Sequence, residues 1–285
     1  MSIIVIGLSL SFLLFLLAAG LTLIFGMLGV INFAHGALYM LGAFVGYQIV
    51  HMTGSFWLGL LFAPLIVACV GALIEILALK QVYDRDHIFQ LLLTFGFILV
   101  IDDATKMIWG FDYKQVPTPA MFSAPISMFG SQIPSYRLFV IGFGAAVSLA
   151  LFRLLDRSKW GMIIRAASSD PEMAQTLGVN VNRVRTGVFA LGAYLAALGG
   201  VISAPLVPIE LGMGFSVIID CFVVVIIGGL GNIRGAIFAS LLLGMTRAAG
   251  YTYATEWVEL LTFALLIGTL MFRPAGLFST KGRSA

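Results

Sequence analysis

The sequence predicts an all-α polytopic membrane protein: a bundle of about eight to ten transmembrane helices, some of them broken, with a short helix on its cytoplasmic side. Three observations predict it. Of 285 residues, 60% are hydrophobic and 10% charged, where an ordinary soluble domain carries about 25% charged residues. No Lys, Arg, Asp or Glu precedes Glu75. Apolar runs recur at roughly the 20 residues that a helix needs to cross about 30 Å of hydrocarbon. Each crossing must satisfy its own backbone hydrogen bonds, and the alternation of a membrane barrel is absent.

The expected spans are 3–25, 33–50, 56–79, 88–108, 136–155, 188–206, 217–230, 236–245 with its flank, and 258–272. The first has no basic residues ahead of it and is too long for a cleavable signal, so it is expected to remain as an anchor. Cys69 and Cys221 fall inside spans and read as small core residues, not as a disulfide framework. Gly42 with Gly46, and the Gly192, Ala196, Gly200 series, stand at four-residue spacing, which lets helices approach closely.

The second span contains a polar pair. "VINFAHGALYMLGAFVG", Val30 to Gly46, is apolar except for Asn32 and His35 near its start. After a break at Gly26 to Gly29, Asn32 suits the cap of a helix beginning at about Phe33. His35 then sits in the first turn, and Gly36 leaves room for a neighbouring helix. Transporters often expose polar termini to substrate where helices are discontinuous, so Asn32, His35 and Gly36 also read as lining a translocation path. A zinc site is not expected, because His51 and His87 are whole spans away and no Cys is near.

The intramembrane charges have local explanations. Asp102 stands four residues before Lys106, the spacing of a solvated ion pair. Glu75 lies about a turn from Lys80 and reads as interfacial. Asp220 is placed to cap the span from 217. Asp103 and Arg247 complete the set.

Lys and Arg concentrate on cytoplasmic loops. Arg153, Arg157, Lys159, Arg165, Arg183 and Arg185 cluster in and beside the loop 156–187, and Arg273, Lys281 and Arg283 mark the tail. Both are expected to be cytoplasmic, and the four apolar runs between them agree. Lys80 and Arg85 put their loop on the same side, which leaves the proline-rich stretch 109–135 outside.

The loop "RAASSDPEMAQTLGVNVNRVR" is the most informative polar stretch. Asp170 suits an N-cap, Pro171 the first helical position, Glu172 the positive end of the dipole, and Gly178 a left-handed stop. The product is a helix of about two turns whose Met173 and Leu177, four apart, would present apolar surface to water beside Ala174, Ala166 and Ala167. Helices this short are marginal alone, so something must pack against it: the underside of the bundle or the groove of a partner.

"EMAQTLG", Glu172 to Gly178, is similar to the Glu-Ala-Ala-x-x-x-Gly core of the cytoplasmic coupling loop in ABC importer permeases, with Met173 in place of the middle Ala. The downstream Ile-x-Leu-Pro of that pattern is missing at Val188 to Leu191. Together with "GLTLIFGMLGVINFAHGALYMLGAF", "ALGGVISAP" and "VVVIIGGLGNIRGAIFASLLLG", the chain resembles, over nearly its whole length, the LivH-type permease subunit of branched-chain amino acid ABC importers. The resemblance implies one permease domain over residues 1–285, multi-pass in the bacterial inner membrane with a cytoplasmic C-terminus. It also implies a second permease, two cytoplasmic ATPases docked on the coupling loop, a periplasmic or extracellular solute-binding protein, an amino-acid substrate and surrounding lipid. No cofactor and no nucleic acid are expected. Relatives of this permease also serve urea, short amides and aromatic compounds.

Energy must come from a partner. No lysine follows a glycine, so the P-loop motif is absent. "GGLGNIRG", 228–235, is no dinucleotide fingerprint, because Arg234 occupies its last glycine position and no strand precedes it. It reads as a helix interruption at the membrane boundary, with Asn232 and Arg234 facing water, protein or the translocation path. An ion-coupled secondary transporter or passive channel acting alone is the alternative, with Asp102, Asp103 or Asp220 as proton sites. An intramembrane hydrolase is not expected: Gly-x-Ser-x-Gly and His-Glu-x-x-His are absent, and Asn232 stands where the Gly-x-Gly-Asp pattern of intramembrane aspartyl proteases needs its carboxylate.

Overall fold

The computed structural model describes residues 2–83, 85–128 and 131–278. Nine long helices coincide with the nine apolar runs: first α1 (Ser2–Leu28), α2 (Ala34–Thr53), α3 (Phe56–Leu77), α4 (His87–Trp109) and α5 (Ser135–Arg157). Two short helices, α6 (Lys159–Ser169) and α7 (Pro171–Thr176), intervene before α8 (Val181–Ser203), α9 (Met213–Gly228), α10 (Ile233–Tyr253) and α11 (Val258–Phe272). By length and composition α1, α4, α5 and α8, and α3 and α11 extended by the 3₁₀ turns beside them to 56–82 and 255–272, can each cross a membrane, while α9 and α10 qualify only as a pair bent by 119°. That gives six spans, or seven with the bent pair as one. In α2, His35, Gln48 and His51 dilute the apolar character. The expected outer loop is largely irregular, with a small antiparallel hairpin, Ile126–Met128 paired with Ser131–Ile133.

The centre of the bundle is α1, α2 and α8, and small residues bring them together. A methyl group on Gly42 would collide with the backbone of Ala197, one on Gly192 with the Ile24 side chain and the Gly20 carbonyl, and one on Gly200 with the Tyr39 carbonyl. This close approach maximises dispersion where no hydrophobic drive exists between helices in lipid. The predicted glycine spacing is therefore realised as helix contacts. Outer helices present Phe95, Leu99, Leu149, Leu260 and Ile267 outward, as lipid-facing surfaces must.

The bundle has two distinct ends. At one, Gly26 of α1 meets Gly231 of the α9–α10 break, Arg234 pairs with Asp156 at 2.9 Å, and Glu75 of α3 accepts from Thr186 of α8. The Leu277 N–H donates to the Ile227 carbonyl at 2.8 Å, which returns the end of the described chain to the same place. Lys80, Arg85, Arg153, Arg157, Lys159 and Arg165 belong to segments at this end. At the other end Arg137 donates to Ser9 Oγ at 2.9 Å, and Lys114 pairs with Ile209 in an isolated bridge. The end of α11 and the segment up to Leu277 thus return to the basic end. Lys281 and Arg283 lie outside the described residues.

Several expectations need correction. Asn32 does not cap α2: the preceding position is Phe33, itself helical at φ −67° and ψ −31°, and no side chain bonds the helix end. Asp220 does not cap α9, which begins at Met213; its carboxylate takes both guanidinium nitrogens of Arg247 on α10. Lys106 pairs with Asp103 at 3.9 Å, and Asp102 accepts the Gly212 N–H at 3.0 Å. Glu75 is not interfacial beside Lys80 but 1% exposed. Cys221 is buried, whereas Cys69 lies on the outer surface of the bundle. Glu75 and Asp220, the two carboxylates held inside the bundle, take partners from other helices, because low dielectric makes an unpaired buried charge costly.

Candidate coupling loop and polar helix break

Two features of opposite character carry the functional argument. The first is the loop between α5 and α8. Ser158 caps α6 by accepting the Gly161 N–H at 3.0 Å, and Arg165 reaches back to the Leu155 carbonyl. Ile164 and Ala167 turn α6 into the bundle. Asp170 then caps α7, its Oδ1 accepting the Met173 N–H at 2.9 Å. Pro171 opens the helix, Glu172 lies in its first turn, and Gly178 takes φ +86°, a left-handed conformation that costs glycine little. Asn180 caps α8 through the Arg183 N–H at 3.1 Å, which starts that helix seven residues before the expected 188.

The expected apolar patch is realised by Met173 and Leu177, whereas Ala174 and Ala167, expected beside them in water, are buried because they are small enough to pack against the bundle. Ala174 is 3% exposed and seats the helix on its support, while Met173 at 57% and Leu177 at 77% face away from the bundle. The helix is therefore anchored by one small residue and offers two large apolar ones. Beside it a shallow polar recess is lined by Gln175, Val179, Asn180, Val181 and Asn182. The unforeseen member of this region is α6; Ser158 followed by an amphipathic run was the signal available for it.

The second feature lies inside the bundle. His35 Nε2 meets the Leu17 carbonyl at 2.9 Å, near the middle of the 27-residue α1, so α2 starts deep in the protein. Gly36 abuts the backbone of Gly214 in the first turn of α9, so two helix starts cross there. Asn32 and His35 are both 0% exposed. Both polar atoms of the Asn32 amide, and Nδ1 of His35, have no hydrogen-bond partner among the described residues. A buried polar group left unpaired costs about 1–3 kcal/mol, so this is an expensive place to start a helix.

Asn232 and Arg234 stand apart from these three, at the basic end. Asn232 caps α10 through the Gly235 N–H at 3.0 Å and donates from Nδ2 to the Phe278 carbonyl at 2.6 Å. Gly229 and Gly231, at φ +99° and +79°, make the break that was expected here. Arg234 is exposed and pairs with Asp156.

A recess of about 160 Å³ between α2, α4 and α9 is lined by Ala37, Met40, Phe95, Ile98, Leu99, Gly214 and Phe215, with Asp102 at its rim. Sequence reasoning missed this recess, because the crossing of α2 and α9 that forms its floor is a tertiary event.

The arrangement has known counterparts. The high-affinity branched-chain amino acid transport system permease protein LivH of Escherichia coli is 30% identical over 280 residues, covering 92% of this chain and 90% of that protein. The permease protein LivM of the same organism's high-affinity branched-chain amino acid transport system is 25% identical, covering 92% of this chain and 67% of that one. A solved structure titled PsaBC from Streptococcus pneumoniae in complex with Fab shares the fold at a TM-score of 0.50 and 14% identity, covering 95% of this chain and 91% of that chain. The family model described as branched-chain amino acid transport system / permease component matches residues 3–270. A multi-pass helical bundle, with its apolar surface turned outward and its polar termini turned inward, is what such a component requires, and this chain belongs to the branched-chain amino acid transport permease family.

Proposed function

We propose that the chain is one of two related permease subunits of an ABC importer that moves branched-chain or other small amino acids into the cell. The exposed Met173–Leu177 face of a helix fixed at both ends carries this reading. An apolar patch on a rigid support suits the groove of a soluble partner, and a cytoplasmic ATPase is the partner that this family context supplies. Asp170, Glu172, Met173, Ala174, Leu177 and Gly178 form the coupling element. LivH and LivM, both similar to this chain, support pairing with a second, related permease. A binding protein outside the membrane hands over the substrate.

The basic end of the bundle faces the cytoplasm under the charge rule, which puts α1's first residues outside and the tail inside. The translocation path runs past the α2 start, with Asn32, His35 and Gly36 along it and Asn232 and Arg234 at its cytoplasmic mouth. Rigid displacement of α7 by its partner alters the packing of the adjoining spans. Of the three candidate proton sites, Asp220 is ion-paired with Arg247, Asp103 is largely exposed beside Lys106 and Asp102 accepts the Gly212 N–H, which weighs against a proton-coupled carrier.

Reconstitution tests the proposal. The complete assembly with its binding protein is expected to take up leucine only with ATP, and this chain alone to move none. Leucine entering vesicles that hold the chain alone would refute it.

A further inference from the structure

Glu75 is a carboxylate buried to 1% exposure near the basic end of α3, and among the described residues it forms no ion pair with Lys80 or an arginine. Its Oε2 accepts from Thr186 Oγ1 at 2.6 Å and its Oε1 from Tyr83 Oη at 2.6 Å. Thr186 lies in the second turn of α8, directly after the α7 loop. Tyr83 follows the 3₁₀ turn Leu79–Val82 that leads to α4. The Arg185 guanidinium stacks over the Tyr83 ring with its carbon 5.0 Å from the centroid. Burial, reinforced by the hydrogen bond to Glu75, pushes the Tyr83 phenol well above its ordinary range, so the hydroxyl stays a donor.

The polar contacts continue into α4. Gln90, 4% exposed, spreads its Nε2 over the carbonyls of Val82, Tyr83 and Arg85 at 3.1, 3.2 and 3.3 Å. One turn on, the buried Thr94 Oγ1 lies 3.1 Å from the Leu91 carbonyl and 3.4 Å from the Ile31 carbonyl. Ile31 immediately precedes Asn32.

We propose that Thr186, Glu75, Tyr83, Gln90 and Thr94, joined by these hydrogen bonds and, between Gln90 and Thr94, by one turn of α4, form a linkage that carries displacement of the α7 loop to the α2 start. These are positioning residues, acting through α4 and not on the solute. The inference rests on the reading of α7 as the coupling element. A carboxylate suits the central position because it is acceptor-only, with an oxygen for each of two hydroxyl donors from different segments. These bonds transmit position where the otherwise outward-facing α4 has little packing to do so. Contiguity suggests such a route, and coupling measurements decide it.

The test uses the complete reconstituted assembly, with leucine as solute, and reads leucine taken up per ATP hydrolysed. Glu75→Ala is expected to leave ATP hydrolysis within about twofold and to lower that ratio at least about fivefold. Thr186→Val is expected to lower it less, and the double variant to be no worse than Glu75→Ala alone, because both break one link. If Glu75→Ala fails to assemble, Glu75→Gln supplies the measurement: its amide keeps one acceptor, and an intermediate ratio is expected. An unchanged ratio in whichever of these assembles, or losses that multiply in the double variant, would overturn the linkage. Leu177→Asp, measured alongside, separates the two ideas. If it uncouples while Glu75→Ala does not, only the linkage fails; if it does not uncouple, the coupling role of α7 fails.

Discussion

Two helices of this protein start from the same kind of signal and end differently. Asp170 before α7 and Asn32 before α2 are both residues that favour N-caps. Asp170 accepts the Met173 N–H, whereas the Asn32 amide bonds nothing. On the surface the rival for a helix end is water, and the local side chain wins. Inside the bundle the Gly36–Gly214 crossing and the His35 contact with α1 decide where α2 begins. The two sites are also mirror images in polarity: α7 holds large apolar groups out of the bundle, and the α2 start holds polar groups inside it. Each pays in stability for something that folding alone does not require.

A third site is polar, largely buried and fully satisfied. Asp220 and Arg247, each side chain 17% exposed, tie α9 to α10. Asp220→Ala strands the guanidinium and should destabilise the detergent-solubilised protein by about 3–5 kcal/mol, seen as a large fall in its unfolding midpoint. A change under about 1 kcal/mol would mean that the pair is hydrated and not structural.

Asn32→Leu should act in the opposite direction. Removing an amide that has no partner relieves a penalty of about 1–3 kcal/mol, so stability should hold or rise while ATP-driven leucine uptake falls severalfold. Lower stability with unimpaired uptake would make Asn32 an ordinary structural residue. Asp170→Ala comes next, because losing the cap costs about 1 kcal/mol. A modest loss of uptake with normal membrane abundance is the expected result, and full uptake would show that the partner alone orders α7. The smallest effect belongs to Arg234→Gln: its ion pair with Asp156 is exposed and worth about 0–1 kcal/mol, so melting curves should nearly superimpose.

The same contrast explains what could be read from the sequence. The nine apolar runs, the α7 caps, the Gly178 stop and the 228–235 break follow from local chemistry, and the structure has all of them. What sequence reading misassigned were the partners of Glu75, Asp102 and Asp220, each assigned to a neighbour in sequence or to a helix end, when the actual partner lies 8 to 111 residues away. Burial on a particular helix face cannot be seen in a chain that is apolar on every face, since outward and inward surfaces use the same residues. The α2 start was visible as an anomaly, two polar residues in a run of apolar ones, but its unpaired state depends on how α1 and α9 pack around it.

The account turns on Met173 and Leu177 meeting a soluble motor. Isolating the intact assembly from membranes, with this chain either native or carrying Leu177→Asp, tests that most directly. The native chain is expected to retain two ATPase subunits and the variant, though equally abundant and equally stable, to lose most of them; equal retention by both would refute the proposed coupling role of α7.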